Sequence, residues 1–139
     1  MRIEHLGPGD EEKLAAAEGL LDGPVKPDAA HHFLGDPNHH MLVAYVDGLP
    51  AGFVSGVEMT HPDKGTEMFL YELGVDEAHR RKGVATGLVE ALKALARERG
   101  NYGMWVLCDD DNEAALKTYR RVGGSDSSPT LFDWQFDTD

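Results

Sequence analysis

The chain has one cysteine and no long apolar run, and each of these shortages excludes certain classes of protein. Its 139 residues include a single cysteine, Cys108, which excludes an internal disulfide and predicts a reducing, cytoplasmic location. No apolar run approaches the roughly 20 residues of a membrane helix, and no apolar segment follows the charged N-terminus, so neither a membrane span nor a signal peptide is predicted. With 41% hydrophobic residues, the chain is expected to form one globular domain over residues 1–139.

Basic residues are also scarce, at 13 lysines and arginines against 25 aspartates and glutamates, for a formal net charge of -12. This charge repels nucleic acid, so a nucleic-acid partner is not predicted, and it would attract a cationic small molecule. The acidity also has a simpler explanation, since it favours solubility or suits a salty cytoplasm. Composition alone leaves both explanations open.

Motifs for metal binding and thiol chemistry are missing as well. The pairs His31-His32 and His39-His40 lack the spacing and the carboxylate context of a zinc motif, so no metal site is predicted. Cys108 ends a predicted strand without an evident basic partner, which favours a buried structural thiol over a nucleophile.

Hydrophobic periodicity predicts a mixed α/β domain in the order β-α-α-β-β-β-α-β-α-β. The strand over residues 67–75 is the most apolar, which predicts a central position in the sheet. Phe132, Trp134 and Phe136 alternate in the last segment, as expected for a half-buried strand. The predicted strands cover residues 2–6, 40–46, 51–59, 67–75, 102–108 and 130–136, and the predicted helices 11–21, 28–34, 84–99 and 114–122.

The scarce cations are concentrated at one turn. Arg80-Arg81-Lys82 follows the apolar strand and precedes Gly83-Val84-Ala85 and a long helix. Backbone N–H groups at a helix start lack partners and, with the helix dipole, favour an anion such as phosphate. Cations at a helix start oppose the dipole, which weakens the explanation that this is only a solvated basic turn. The turn is therefore predicted to bind phosphate.

This turn resembles a known cofactor motif. Arg80-x-x-Gly83-x-Ala85 after a strand is similar to the acyl-CoA pyrophosphate motif of the GNAT superfamily of N-acetyltransferases. The element order is also the superfamily's, so the resemblance covers nearly the whole chain and implies a mostly antiparallel central sheet flanked by helices. It implies acetyl-CoA as the cofactor. The backbone N–H groups of Arg81, Lys82, Gly83, Val84 and Ala85 would hold its pyrophosphate, Arg80 and Lys82 would add positive charge, and Thr86 would be a further cofactor contact.

A second motif lies downstream. Asn112-x-x-Ala115-x-x-x-Tyr119-x-x-x-Gly123 resembles the superfamily's other CoA motif, which implies that Asn112, Ala115 and Tyr119 contact the cofactor. Tyr119 matches the tyrosine that protonates the departing thiolate in that family; without the motif, a core tyrosine would be the simpler reading. Asn112 would bind the pantetheine amides, although capping the helix is an equally simple use of it.

The strand before the basic turn would supply the rest of the site. The resemblance implies that its outer edge at Leu73, Gly74 and Val75 pairs with the pantetheine arm, and that an N–H near Leu73 polarises the thioester carbonyl. Gly74 marks either a bulge or close approach at this edge, or only a packing accommodation. Glu72 is the predicted general base and an acceptor contact, because a carboxylate in an apolar strand needs a cavity or a partner.

The resemblance extends to the acceptor. The run from Tyr71 to Thr86 is similar to that of the aminoglycoside 3-N-acetyltransferases, and so is the Phe-Asp-containing tail 131–137. This implies direct transfer, in a ternary complex, to a primary amine of a cationic small molecule, with antibiotic resistance as the result. The alternatives are a polyamine, another small amine or a protein amine as acceptor, and, in a different class, a non-catalytic acyl-CoA sensor.

Two further expectations concern the acidic cluster and the assembly. Asp109, Asp110 and Asp111 are predicted to contact a polycationic acceptor, although loop solvation and helix capping also explain them. Members of the superfamily often pair through their C-terminal strands, which implies a homodimer.

Overall fold

The fold is a five-stranded sheet with helices on both faces. This computed structural model describes residues 1–137. The strand order is β1-β2-β3-β4-β5, antiparallel except for the parallel pair β4–β5, which confirms the predicted mixed α/β class. The strands are β1 (Arg2–Leu6), β2 (His39–Val46), β3 (Leu49–His61), β4 (Gly65–Val75) and β5 (Met104–Val106), and the helices α1 (Glu11–Ala16), α2 (Pro27–Gly35), α3 (Val84–Glu98) and α4 (Glu113–Arg121).

Each face of the sheet has its own apolar core. Because side chains alternate along a strand, Phe53 and Val54 of β3 point to opposite faces. On one face α3 buries Leu88 against Val54, and on the other α1 buries Leu14 against Phe53. The core beneath α1 and α2 draws on β1, β2 and β3 alone, so on that face β4 and β5 lie outside it.

The prediction that the most apolar strand is central is wrong. The central strand is β3, and β4 lies second from the edge. Gly52 and Gly56 lower the apolar content of β3, because α3 lies directly upon them. A Cβ atom would lie 2.9 Å from Val84 at Gly52 and 3.0 Å from Leu92 at Gly56. None of the helices over residues 1–137 is both long enough and apolar enough to span a membrane.

The last predicted strand, over residues 130–136, is not formed. Residues 125–137 contain neither helix nor strand, and Phe132, Trp134 and Phe136 expose 75%, 75% and 81% of their surface. A strand exists through hydrogen bonds to a neighbour, and no strand of the described chain pairs with this segment. The first predicted helix is also interrupted, since α1 ends at Ala16 and a short 3₁₀ helix, Glu18–Leu20, follows.

A buried polar network fastens the C-terminal end of α3 to the sheet. The Glu58 side chain is 4% exposed, and its carboxylate accepts hydrogen bonds from Arg99 Nε at 2.6 Å and Asn101 Nδ2 at 2.7 Å. His40 Nε2 donates a third at 2.9 Å, which leaves His40 Nδ1 to accept from His5 Nε2 at 3.2 Å. Burial by itself would raise the pKa of Glu58, but the three donors outweigh it and lower that pKa.

Candidate active site

Strands β4 and β5 pair over only a short stretch and then separate. Residues 68–70 pair with 104–106, and beyond them the outer edge of β4 at 71–75 has no strand beside it in the described chain. Tyr71 is an extra residue in β4 with no partner opposite it in β3, which is a β-bulge. A bulge bends its strand and redirects side chains, so the two strands diverge here. The divergence exposes backbone groups that suit an extended ligand such as pantetheine.

The predicted pantetheine residues lie on this open edge. Leu73 and Val75 pack toward the core beneath α3. A Cβ atom at Gly74 would lie 2.7 Å from Phe53 and 3.2 Å from the Leu20 carbonyl oxygen. Packing therefore fits one of the alternatives stated for Gly74, and the bulge lies at Tyr71 and not at Gly74. The close approach of pantetheine at Gly74 stays a prediction.

The basic turn leaves the N-terminus of α3 open. Gly83 is the N-cap residue with φ 81°, it makes no side-chain capping bond, and the first turn contains no acidic residue. The first hydrogen bond of the helix runs from Gly87 N to Gly83 O at 3.0 Å, so the N–H groups of residues 84–86 have no partner within the helix. Arg81 has φ 62°, in the left-handed region that residues other than glycine rarely occupy.

The three cations of this turn are available to a ligand. Arg80, Arg81 and Lys82 are exposed, and none of them forms an ion pair with residues 1–137. An uncapped helix start with unpaired N–H groups and adjacent positive charge fits a pyrophosphate.

Tyr119 lies on the α3 side of the sheet. It packs against the core beneath α3 and, with Val106, lines a groove of about 360 Å³ between α3, β5 and α4. Its hydroxyl makes no hydrogen bond with residues of the described chain. Burial, with the Cys108 thiol nearby, raises the pKa of Tyr119 to about 12, so the phenol keeps its proton at physiological pH.

The start of α4 holds the remaining predicted residues. Asn112 is the N-cap, and its Oδ1 accepts a hydrogen bond from Ala115 N at 3.2 Å, so capping is the use the structure shows for its oxygen. Asp109, Asp110 and Asp111 are exposed and make no capping bond of their own. Because β4 and β5 are parallel, the turn after β5 lies at the same end of the sheet as Glu72.

Glu72 lies on the opposite face from Tyr119. It is half-buried, and its neighbour across β3 is Ser55, which belongs to the face that carries α1 and α2. Burial raises the pKa of Glu72, and a hydrogen bond with the Asp22 carboxyl raises it further. Asp22, in the loop after the 3₁₀ helix, was not among the residues predicted from the sequence, because no motif or spacing connects it to β4.

The arrangement suits an acyl-CoA-dependent transferase, because the described residues present an uncapped helix start beside three cations, an open strand edge on β4 and a tyrosine that keeps its proton. Residues 11–124 match the model of the Acetyltransferase (GNAT) family, and the chain belongs to that family. It is an acetyltransferase, and acetyl-CoA is its acetyl donor.

Relatives of known name differ in the acceptors that their names state. The chain is 30% identical over 124 residues to the N-alpha-acetyltransferase RimI of Mycobacterium tuberculosis, covering 87% of this chain and 76% of that protein. It is 34% identical over 132 residues to the mycothiol acetyltransferase of Salinispora arenicola, covering 87% of this chain and 41% of that longer protein. The structure of aminoglycoside acetyltransferase HMB0005, from an uncultured soil metagenomic sample, matches with a TM-score of 0.85 at 26% identity over 98% of both chains.

Proposed function

We propose that this enzyme acetylates a primary amine of a cationic small molecule, with an aminoglycoside as the first candidate, and thereby confers resistance in the cytoplasm. The observation that carries the proposal is the half-buried Glu72 with Asp22 beside it at the open edge of β4. Two carboxyl groups in one place repel unless a proton or a cation joins them, so the pair suits an ammonium group. The likeness to an aminoglycoside acetyltransferase and the net charge of -12 support the same acceptor class.

Each part of the site has a role in this reaction. Bound acetyl-CoA supplies an acetyl group activated as a thioester. The N–H groups of residues 84–86 would hold its pyrophosphate, and the edge of β4 at residues 73–75 would hold its pantetheine arm. Glu72 accepts the proton that the acceptor ammonium must lose before attack, and its raised pKa brings it closer to the working pH. Tyr119, which keeps its proton, would donate a hydrogen bond to the sulfur of the thiol that departs.

The acceptor is tested by thiol release from acetyl-CoA with gentamicin, spermidine and a short peptide supplied in parallel. We expect kcat/KM for gentamicin to exceed that of the other two amines by at least about tenfold, which corresponds to about 1.4 kcal/mol of transition-state binding. A protein amine is the second candidate, because the relative named N-alpha-acetyltransferase RimI aligns with this chain over 76% of its own length. Faster turnover of the peptide would establish that candidate and overturn the aminoglycoside.

Glu72→Gln is expected to remove the acid limb of the pH profile. The wild-type kcat/KM should fall as the pH falls through the pKa of Glu72, which is raised above 4.5, since the protonated carboxyl cannot accept a proton. In the variant only acceptor that is already deprotonated can react, so the rate should be about 10²-fold lower at neutral pH and rise with pH toward the amine pKa. Glu90→Gln, on the exposed side of α3, is the matched control. An unchanged profile in Glu72→Gln would assign the base elsewhere.

The proposed working unit is a homodimer joined through the C-terminal tail, residues 125–137. The tail exposes Phe132, Trp134 and Phe136, which alternate as in a strand. Within residues 1–137, strand β5 ends the sheet with an unpaired outer edge, and the groove of about 360 Å³ lies beside it. Open edges and exposed apolar side chains favour association, so the tail of one copy would add a strand to β5 of the other.

Replacing Phe132, Trp134 and Phe136 together by serine is expected to convert the dimer into a monomer. The substitution removes the apolar side chains that the partner would bury, while the tail makes no strand within its own chain. Sedimentation equilibrium measures the mass. Leu49→Ser, at a residue 66% exposed in the β2–β3 hairpin, is the control and should leave the mass unchanged. A wild-type protein that sediments as a monomer contradicts the assembly.

A further inference from the structure

An aromatic cluster lies open on the face of the sheet opposite α3. The rings of Phe69 and Trp105 stack with their centroids 4.3 Å apart, and Tyr71 meets Phe69 edge-on at 5.9 Å. Tyr71 is 68% exposed and Trp105 is 38% exposed. We call Phe69, Tyr71 and Trp105 the aromatic shelf.

Packing does not account for the shelf. The core beneath α1 and α2 ends at β3, and the shelf belongs to neither of the two cores within residues 1–137. Two of its residues, Phe69 and Trp105, lie opposite each other across β4 and β5, and Tyr71 lies just beyond the paired stretch. Aromatic side chains scattered singly on a surface are ordinary, whereas a contiguous exposed group of them marks a surface that binds something.

The shelf adjoins the acidic pair. Tyr71, the bulge residue, immediately precedes Glu72 in β4. The chain approaches β4 just before Asp22, since the carbonyl oxygen of Leu20 lies 3.2 Å from the position of a Cβ atom on Gly74. An apolar floor and two carboxyl groups therefore meet at the gap between β4 and β5.

We propose that the shelf and the Glu72–Asp22 pair form the acceptor subsite, in which the carboxyl groups bind ammonium groups and the C–H face of an acceptor ring lies on Tyr71 and Trp105. Asp22 is thereby a specificity-determining residue. This inference rests on the proposed function and narrows it to cyclic polyamines, of which an amino sugar is one class.

The chemistry of the two parts favours a ring over a linear amine. Aromatic faces are electron-rich and attract the C–H groups that lie next to an ammonium group, as in cation–π contacts. A rigid ring covers a flat aromatic surface with little further loss of conformational freedom, whereas a linear polyamine must order several rotatable bonds to do so. A carboxyl pair alone would not distinguish the two.

Trp105 provides a readout that does not depend on turnover. The chain has two tryptophans, and Trp134→Phe leaves Trp105 as the only one. Gentamicin and spermidine are titrated separately into this protein without acetyl-CoA while the emission of Trp105 is followed. We expect a saturable change with gentamicin at least about tenfold tighter than any change with spermidine, equal to about 1.4 kcal/mol.

Variants then test the two parts of the subsite in the Trp134→Phe background. Tyr71→Ala and Asp22→Asn should each weaken gentamicin binding about tenfold, and should leave CoA binding unchanged. Both residues are exposed, so neither substitution opens a cavity. Tyr102→Ala, at a tyrosine 55% exposed outside the shelf, is the matched control and should leave gentamicin binding unchanged.

The outcomes separate this inference from the proposed function. Gentamicin turnover with a KM that Tyr71→Ala does not alter would overturn the shelf and leave the proposed function standing. Saturable gentamicin binding at Trp105 with no thiol release would support the shelf and overturn the proposed function. A Trp105 emission that changes with the concentration of the protein and not with that of gentamicin would mean that a second copy of the chain covers the shelf. That result would also overturn the inference.

Discussion

Tyr119→Phe is expected to lower kcat by about 10²–10³-fold and to leave the KM for acetyl-CoA nearly unchanged. The substitution removes one hydroxyl that makes no hydrogen bond with residues 1–137, so neither the fold nor the groove should alter. What is lost is the hydrogen-bond donor that we propose for the sulfur as negative charge develops there. Steady-state kinetics of thiol release with saturating acceptor measures the effect, and thermal unfolding verifies that the stability is retained.

The raised pKa of Tyr119 indicates whether its hydroxyl would donate a hydrogen bond or a proton to the sulfur. Burial holds the pKa at about 12, so the hydroxyl remains protonated well above neutral pH. A thiol titrates near about 8.5, so the phenol is expected to stabilise the sulfur by hydrogen bonding and not to give up its proton fully. The alkaline limb of the pH profile below pH 11 should therefore belong to other groups. Tyr45→Phe, in β2, is the control; equal losses in both variants, or full activity in Tyr119→Phe, would remove Tyr119 from the mechanism.

Glu58→Gln is expected to reduce the free energy of unfolding by about 3 kcal/mol near neutral pH. The carboxylate is the common acceptor for Arg99, Asn101 and His40, and a glutamine amide offers one oxygen where these donors use two. The amide nitrogen would then face a donor in a buried site. Urea unfolding followed by circular dichroism gives the loss, and Glu98→Gln, exposed in the last turn of α3, should show almost none.

Comparing wild type with Glu58→Gln also predicts the direction in which the stability difference between them changes with pH. The pKa of Glu58 in the folded chain lies below its ordinary value of 4.5. Its contribution to stability is therefore present above 4.5 and is lost as the pH falls through the lowered pKa. The difference in stability between wild type and Glu58→Gln should narrow as the pH falls below 4.5. A difference that stays constant down to acid unfolding would contradict the network described around Glu58.

The parts of the fold that follow local rules could be predicted from the sequence. The basic turn and α3 are an example, since a glycine with positive φ, an uncapped start and apolar residues at helical spacing all act within a few residues of one another. The hairpin of β2 and β3 is another. The matched family confirms the cofactor that the motifs indicated.

The parts that depend on distant contacts could not be predicted. The approach of Asp22 to Glu72 follows from the path of a loop over β4, and the Glu58 network joins residues up to 43 positions apart. The aromatic shelf depends on β5 being parallel to β4 with Trp105 opposite Phe69. The tail 130–136 has the alternation of a strand, yet alternation cannot show whether the neighbouring strand belongs to the same chain.

Glu72 lies on one face of the sheet and Tyr119 on the other, near the end at which the pairing of β4 and β5 stops. Donor and acceptor would then reach the reaction from opposite surfaces, and each product would leave by the route its precursor entered. During evolution, the side chains of the acceptor surface can then change while those of the donor surface stay constant. Relatives whose names state mycothiol or an aminoglycoside as acceptor are what such independent evolution of the two surfaces would produce.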